Sequence, residues 1–209
     1  MNATVEETFA KRAGAQMRIL TETERFQLKL ASELLQYPNE DFVRRLPDIE
    51  AVVAKLPDEQ CRKRLDQVIA ALTSRTEIQL QEVYTAVFDM HPGTTLNLTY
   101  HLWRDGEKRA DALARLKELY EAAGYELSTG ELPDYLPLML EFLALGPDAP
   151  GIDVLWQCLG ALRQLIGRLE KTAPDYAVLL EVVDGIVGRR IGEVDSQPGA
   201  GRADYEAAV

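Results

Sequence analysis

Cysteine, histidine, basic charge and long apolar runs are all in short supply in this chain of 209 residues, and each shortage removes a class of function. The two cysteines, Cys61 and Cys158, form no Cys-x-x-Cys pair, so a disulfide framework is not expected and buried free thiols in a reducing cytoplasm are. His91 and His101 are the only histidines and are not spaced as His-Glu-x-x-His, so with either cysteine they make no metal-ligand pattern. No uncharged apolar run approaches the roughly 18 residues that cross a bilayer. Met1 to Thr8 carries carboxylates and no apolar run, unlike a signal peptide. Basic residues number 23 against 34 acidic ones, and the formal charge of −11 disfavours nucleic acid and anionic membrane surfaces alike. It suits a positively charged partner.

Catalytic patterns are equally scarce. No Gly-x-x-x-x-Gly-Lys-Ser/Thr loop is present, and Gly185-Ile186-Val187-Gly188 lies in a helical pattern with no strand before it. Ser128 has no neighbouring base, and Asp134 with Glu141 is a weak acid–base pair in a chain this rich in carboxylates. No enzyme, cofactor or metal site is expected from these residues.

Helical periodicity is what the chain has instead. Hydrophobic residues make up 46 %, enough for a folded core, and no segment alternates with a period of two. Thr21 with Glu24 reads as a capping box that opens a helix through Phe26, Leu30, Leu34 and Tyr37. Asn39 caps a short turn over Phe42, Val43 and Leu46, and Pro47-Asp48 starts another short helix. Further helices follow Pro57-Asp58 and Thr76-Glu77, the latter broken by His91-Pro92-Gly93. An apolar helix spans Thr95 to Trp103, and an amphipathic one spans Glu107 to Ala123 and ends at Gly124. Beyond the Pro/Gly-rich linker from Gly146 to Gly151, one long helix carries Leu155, Leu159, Leu162, Ile166 and Leu169. Pro174-Asp175 begins the last. The fold expected is all-α: a single compact helical domain over 21–190, with a loose N-terminal arm at 1–20 and a disordered C-terminal tail at 191–209.

The most apolar stretch runs from Glu131 to Leu145. Leu136, Leu140 and Leu143, widened by Met139 and Phe142, give a helix with a broad buried face, which Gly146-Pro147 stops. Pro133 and Pro137 crowd its entrance, and the reading favoured is Asp134 as N-cap with Pro137 inside the first turn.

Leu132-Pro133-Asp134-Tyr135-Leu136-Pro137 followed by Leu140-Glu141-Phe142 resembles the signature of the NarJ-type nitrate reductase assembly chaperones, within the wider group of redox-enzyme maturation chaperones. That group's related motif is Glu-Pro-Asp-His-Leu. Here Leu132 adds a residue between Glu131 and Pro133, and Tyr135 stands where histidine is common. A second block, Tyr84 to Asp89, Leu98-Thr99-Tyr100-His101-Leu102 and Arg104-Asp105-Gly106, extends the resemblance over roughly residues 80 to 145. It implies one compact all-helical domain of that family's topology. It also implies a cytoplasmic chaperone that binds the N-terminal segment of the apo catalytic (alpha) subunit of a respiratory molybdenum nitrate reductase, keeps it off its membrane anchor and assists molybdenum cofactor insertion. The peptide-binding residues expected are Tyr100, Trp103, Glu131, Asp134, Tyr135, Leu136 and Leu140, although Tyr100 and Trp103 fit a core helix face equally well. Two other readings stand beside this one: a helical adaptor or scaffold with an acidic solubilising surface, and a small-molecule-binding helical bundle.

Overall fold

The computed structural model describes residues 20–127, 130–146 and 149–195. Its helices are α1 (Glu22–Leu34), α2 (Glu40–Val53), α3 (Glu59–Thr73), α4 (Glu77–Tyr84, continued by a π-turn over Thr85–Asp89), α5 (Leu98–Trp103), α6 (Glu107–Ala122), α7 (Leu136–Leu145), α8 (Asp153–Leu159), α9 (Leu162–Thr172) and α10 (Pro174–Asp195). Among the described residues the sole β-type pairing is an isolated antiparallel bridge, Asn97 to Tyr135. The all-α expectation holds.

Two helices organise the packing. α10 lies against α1, α3, α8 and α9, and α1 is held between α10 and α7. The α1–α7 contact is sealed by the buried Ser32 hydroxyl, which donates to the Pro137 carbonyl at 2.8 Å. At its solvent edge Lys29 bridges Glu33 at 2.9 Å and Glu141 at 2.5 Å. The capping box at Thr21 and Glu24 forms as expected. The buried face of α1, however, is centred on Leu28, Ala31, Leu34 and Leu35, leaving Phe26 and Tyr37 half exposed.

Three boundaries differ from the sequence reading. Residues 40–53 form one helix with Pro47 inside it, because Phe42, Leu46, Ile49 and Val53 share a single buried stripe. That burial outweighs the cost of a mid-helix proline, about 3 kcal/mol. The expected long helix through Leu155 and Leu169 is broken in two at Gly160-Ala161, where the backbone tightens to bonds from Gly160 N to Gln157 O and from Ala161 N to Cys158 O, both 3.1 Å. A side chain at Gly160 would place its Cβ 3.0 Å from the Gln157 carbonyl, so the tight turn selects glycine. Lastly, α10 continues to Asp195, beyond Ile191 where the pattern was expected to end. The rest of the expected tail, 196–209, and residues 1–19 of the expected arm lie outside the described residues.

The ends of α6 and α7 follow the sequence. Gly124 takes φ +82° after α6, and the Tyr125 N–H reaches the Tyr120 carbonyl at 2.9 Å. Gly146 takes φ +66° and stops α7.

Candidate partner-binding site

The turn that enters α7 is not a simple helix start. Its backbone is tied on both sides: the Pro133 carbonyl accepts from the Tyr120 hydroxyl at 2.8 Å, the Leu98 N–H donates to the Asp134 carbonyl at 3.1 Å, and the Leu136 N–H donates to the Leu96 carbonyl at 2.9 Å. A loop buried this deeply needs such partners, since an unpaired backbone group away from water is costly. The result is a clasp between residues 96–99 and 133–136.

Asp134 is the centre of the clasp, and its role differs from the expected one. Tyr135, whose side chain makes no capping bond to the helix, occupies the N-cap position of α7. The Asp134 side chain points the other way, to α5. Its Oδ1 accepts from Asn97 Nδ2 at 3.0 Å, and its Oδ2 accepts from the Thr99 backbone N–H at 3.1 Å and from the Thr99 hydroxyl. Thr99 is the second residue of α5, whose own cap, Asn97, makes no side-chain bond to the helix. Asp134 therefore supplies from a distant turn the acceptor that an N-cap normally supplies locally. The Thr99 hydroxyl also accepts from Arg109 Nε at 3.1 Å, which joins α6 to the same network.

This network sets the pose of α5. Tyr100 is half buried, with the guanidinium carbons of Arg104 and Arg109 at 5.2 and 5.8 Å from its ring centroid. Arg104 ends the helix at φ +55°, a conformation that costs a non-glycine residue about 1–3 kcal/mol. On the buried side His101 stands between the Thr95 carbonyl, 2.8 Å from Nε2, and Arg168, 3.0 Å from Nδ1. A carbonyl only accepts and a guanidinium only donates, so the ring is neutral with its proton on Nε2. Burial holds its pKa below the ordinary histidine value, and the nearby Arg168 and Arg104 charges add to the effect.

Tyr135 runs from the clasp toward Tyr84 and packs against the core. Its hydroxyl lies 2.9 Å from that of Tyr84, which in turn donates to the Leu35 carbonyl at 3.1 Å. Tyr84 also packs edge-on against Tyr37, Phe88 and Tyr176. The clasp is thereby joined to the end of α1 and to the π-turn after α4.

Of the residues expected to contact a peptide, Tyr100, Trp103 and Tyr135 are half buried and Glu131 is exposed, with the exposed Leu102 and Leu132 beside them in sequence. Asp134, Leu136 and Leu140 have no accessible surface. The expectation that these three touch a partner does not fit this conformation. The two leucines fill the core, and Asp134 spends its oxygens on α5. Asn97, Thr99, Arg109 and Tyr84 were not singled out as site residues, although Thr99 and Tyr84 fall inside the quoted motif blocks. Nothing in the sequence marks Arg109 among the charges of an amphipathic helix. Among the described residues no group of three or more His, Cys, Asp or Glu side chains is placed to hold a metal ion. None of their helices is long and apolar enough to cross a membrane.

Comparison with known proteins adds the identity of this architecture. Residues 54–166, more than half of the chain, match the model of the nitrate reductase delta subunit family. The chain is 35 % identical over 170 residues to the probable nitrate reductase molybdenum cofactor assembly chaperone NarJ of Bacillus subtilis, covering 81 % of this chain and 92 % of that protein. It is 32 % identical over 160 residues to the chaperone NarJ of Escherichia coli K12, covering 75 % and 67 % respectively. A nitrate reductase-like protein of Mycobacterium tuberculosis, NarX, is 29 % identical over 147 residues, which are only 22 % of its length. The clasp and α5 lie inside the family match, and the chain belongs to the nitrate reductase delta subunit family.

Proposed function

We propose that this chain is an assembly chaperone for a molybdenum nitrate reductase, and that it works by holding the N-terminal segment of the apo catalytic subunit in the cytoplasm while the molybdenum cofactor is inserted. The observation that carries this reading is similarity to proteins named as such chaperones across four-fifths of the chain. The physical features of the clasp support the contact surface. Tyr100, Trp103, Glu131 and Tyr135 reach its exterior on backbone fixed by Asp134, so a partner meets groups that are already ordered and pays less to bind. Leu136 and Leu140 act beneath the surface, by filling the core on which the clasp rests.

Apolar anchors supply most of the affinity in this scheme. Each buried anchor contributes roughly 1.5–3 kcal/mol, against about 0.2–1 kcal/mol for an exposed ion pair. The acidic surface contributes encounter rate and selectivity. Chemistry on the substrate is not part of the role.

The test is to recover a tagged chain from cells making the reductase and to identify what comes with it by mass spectrometry. The expected companion is the catalytic subunit without its molybdenum cofactor, lost when that subunit's N-terminal segment is deleted. Several small partners in place of one large subunit would favour an adaptor. A bound pterin or other small molecule would favour a ligand-binding bundle.

A further inference from the structure

Arg168 carries α9 to the clasp. It is half buried, and its Nη1 group donates to the Gly93 carbonyl at 2.8 Å and to His101 Nδ1 at 3.0 Å. An arginine Nη group has two protons, so each bond uses one and none is left over. Both acceptors are neutral. What the guanidinium supplies is therefore a fixed angle between them rather than a counter-charge. Its stem packs over the same loop, with Cδ 4.0 Å from where a Cβ on Gly93 would stand.

The two acceptors lie on either side of the α5 N-terminus. Gly93 belongs to the connection that leads into α5, and His101 to α5 itself. His101 returns the restraint to the connection, because its Nε2 donates to the Thr95 carbonyl at 2.8 Å. The Thr94 hydroxyl ties the same connection to the Val87 carbonyl. α5 has only six residues and no bond from its own cap side chain, so its pose depends on such outside ties. Asp134 holds its first turn at Thr99, and Arg168 with His101 holds the buried face that follows. Trp103 comes two residues after His101, about 200° round the helix, so the ring that is turned inward sets where Trp103 points.

We propose that Arg168 is a positioning residue for partner binding, which from α9 sets the pose of Tyr100 and Trp103 through His101 and the Gly93 carbonyl. This rests on the chaperone reading above and adds to it a residue that acts from beneath the contact surface.

Titration calorimetry of the full chain with a synthetic peptide of the catalytic subunit's N-terminal segment tests it. Arg168→Met keeps a stem and removes both donors. If α5 then holds its pose for about a third to a tenth of the time, the peptide binds roughly three- to tenfold more weakly, since apparent affinity falls with the competent fraction. Amide exchange at Tyr100 and Arg104, bonded to the Asn97 and Tyr100 carbonyls, should quicken while exchange in α1 keeps its rate. A general loss of stability would loosen both helices. In a Trp103→Ala chain most of the effect of Arg168→Met on binding should disappear, because the arginine acts through the pose of that ring. Arg168→Lys still offers donors, one bond short of the fork, and should fall between the parent and Arg168→Met. Unfolding curves verify that each variant is folded, and Arg168→Lys carries the test alone if the methionine chain is not. Parent-like binding by the folded variants, equal loosening of α1 and α5, or losses that add with Trp103→Ala overturn the positioning role alone. Failure of the unaltered chain to bind the unaltered peptide overturns that role together with the reading beneath it.

Discussion

Replacing Asp134 separates its observed role from that of an ordinary helix cap. Asp134 and Thr99 are both fully buried, and the carboxylate takes the Thr99 N–H, the Thr99 hydroxyl and the Asn97 amide. Alanine at 134 strands the Thr99 N–H without water and leaves the half-buried Asn97 amide to find a new partner. A stranded buried donor costs about 1–3 kcal/mol, and the charge-assisted bonds are lost as well, so the expected loss is about 3–5 kcal/mol. In a chain of this size that lowers Tm by roughly 6–20 °C. Asparagine keeps an oxygen for the Thr99 N–H but must turn its own NH2 group toward Asn97, at a cost of about 1–2 kcal/mol. A local cap on α7 would give a different pair of numbers, about 0.5–2 kcal/mol for alanine and nearly nothing for asparagine. Urea unfolding gives both values, and amide exchange at Thr99 locates the damage. An alanine loss below about 1 kcal/mol, with asparagine melting like the parent and Thr99 exchange unchanged, would refute the cross-chain cap.

Three other perturbations probe the same packing. Gly146→Ala forces a side chain onto φ +66° and puts its Cβ 2.3 Å from the Arg25 guanidinium; a loss of at least about 1 kcal/mol is expected by denaturant titration, and an unchanged midpoint would contradict the packing. His101 has its pKa lowered by folding, so its contribution to stability is complete above the unfolded value near 6.5 and is lost as pH falls from there toward the folded value. Stability measured between pH 7.5 and 5.5 should therefore decline by at most about 1.4 kcal/mol per pH unit from this residue, and His101→Gln should flatten the slope. Burial raises the Cys61 thiol to about 11 and the Cys158 thiol to about 12, and both are free. A thiol reagent at pH 8 should label them only as fast as the chain opens, so rapid labelling of the native protein would contradict their burial.

The helical class was legible because helices announce themselves locally. Thr21 with Glu24, Asn39 and Thr76 cap where their spacing says they should, since a cap is an interaction over three residues. Gly124 and Gly146 end helices for an equally local reason, their positive φ. Where local rules competed with packing, packing decided. Pro47 reads as a start and sits within a helix, because the stripe from Phe42 to Val53 is buried as a unit. Gly160, unremarkable inside a helical pattern, lies at the break, where a Cβ would come within 3.0 Å of the Gln157 carbonyl.

Asp134 shows why a site is less legible than a fold. Its residue type, its place before an apolar run and the adjoining prolines all satisfy the rules for an N-cap. What no spacing rule contains is a second helix N-terminus brought alongside by the chain, 35 residues away in sequence at Thr99. A short helix such as α5, six residues long with no bond from its own cap side chain, has little stability of its own and depends on such an acceptor. That dependence gives the motif a reason to be acidic even though its charge is never exposed. In the proposed scheme partner contact and helix pose are divided between neighbours: Asp134 fixes α5 from within, and Tyr135, one residue on, is half buried with its hydroxyl 2.9 Å from that of Tyr84. Substitutions at 134 should thus act on binding through the order of Tyr100 and Trp103, whereas substitutions at 135 should act on it directly and leave α5 in place. Loss of Thr99 amide protection in a Tyr135→Phe chain would show that the two residues are one unit and that this division is wrong.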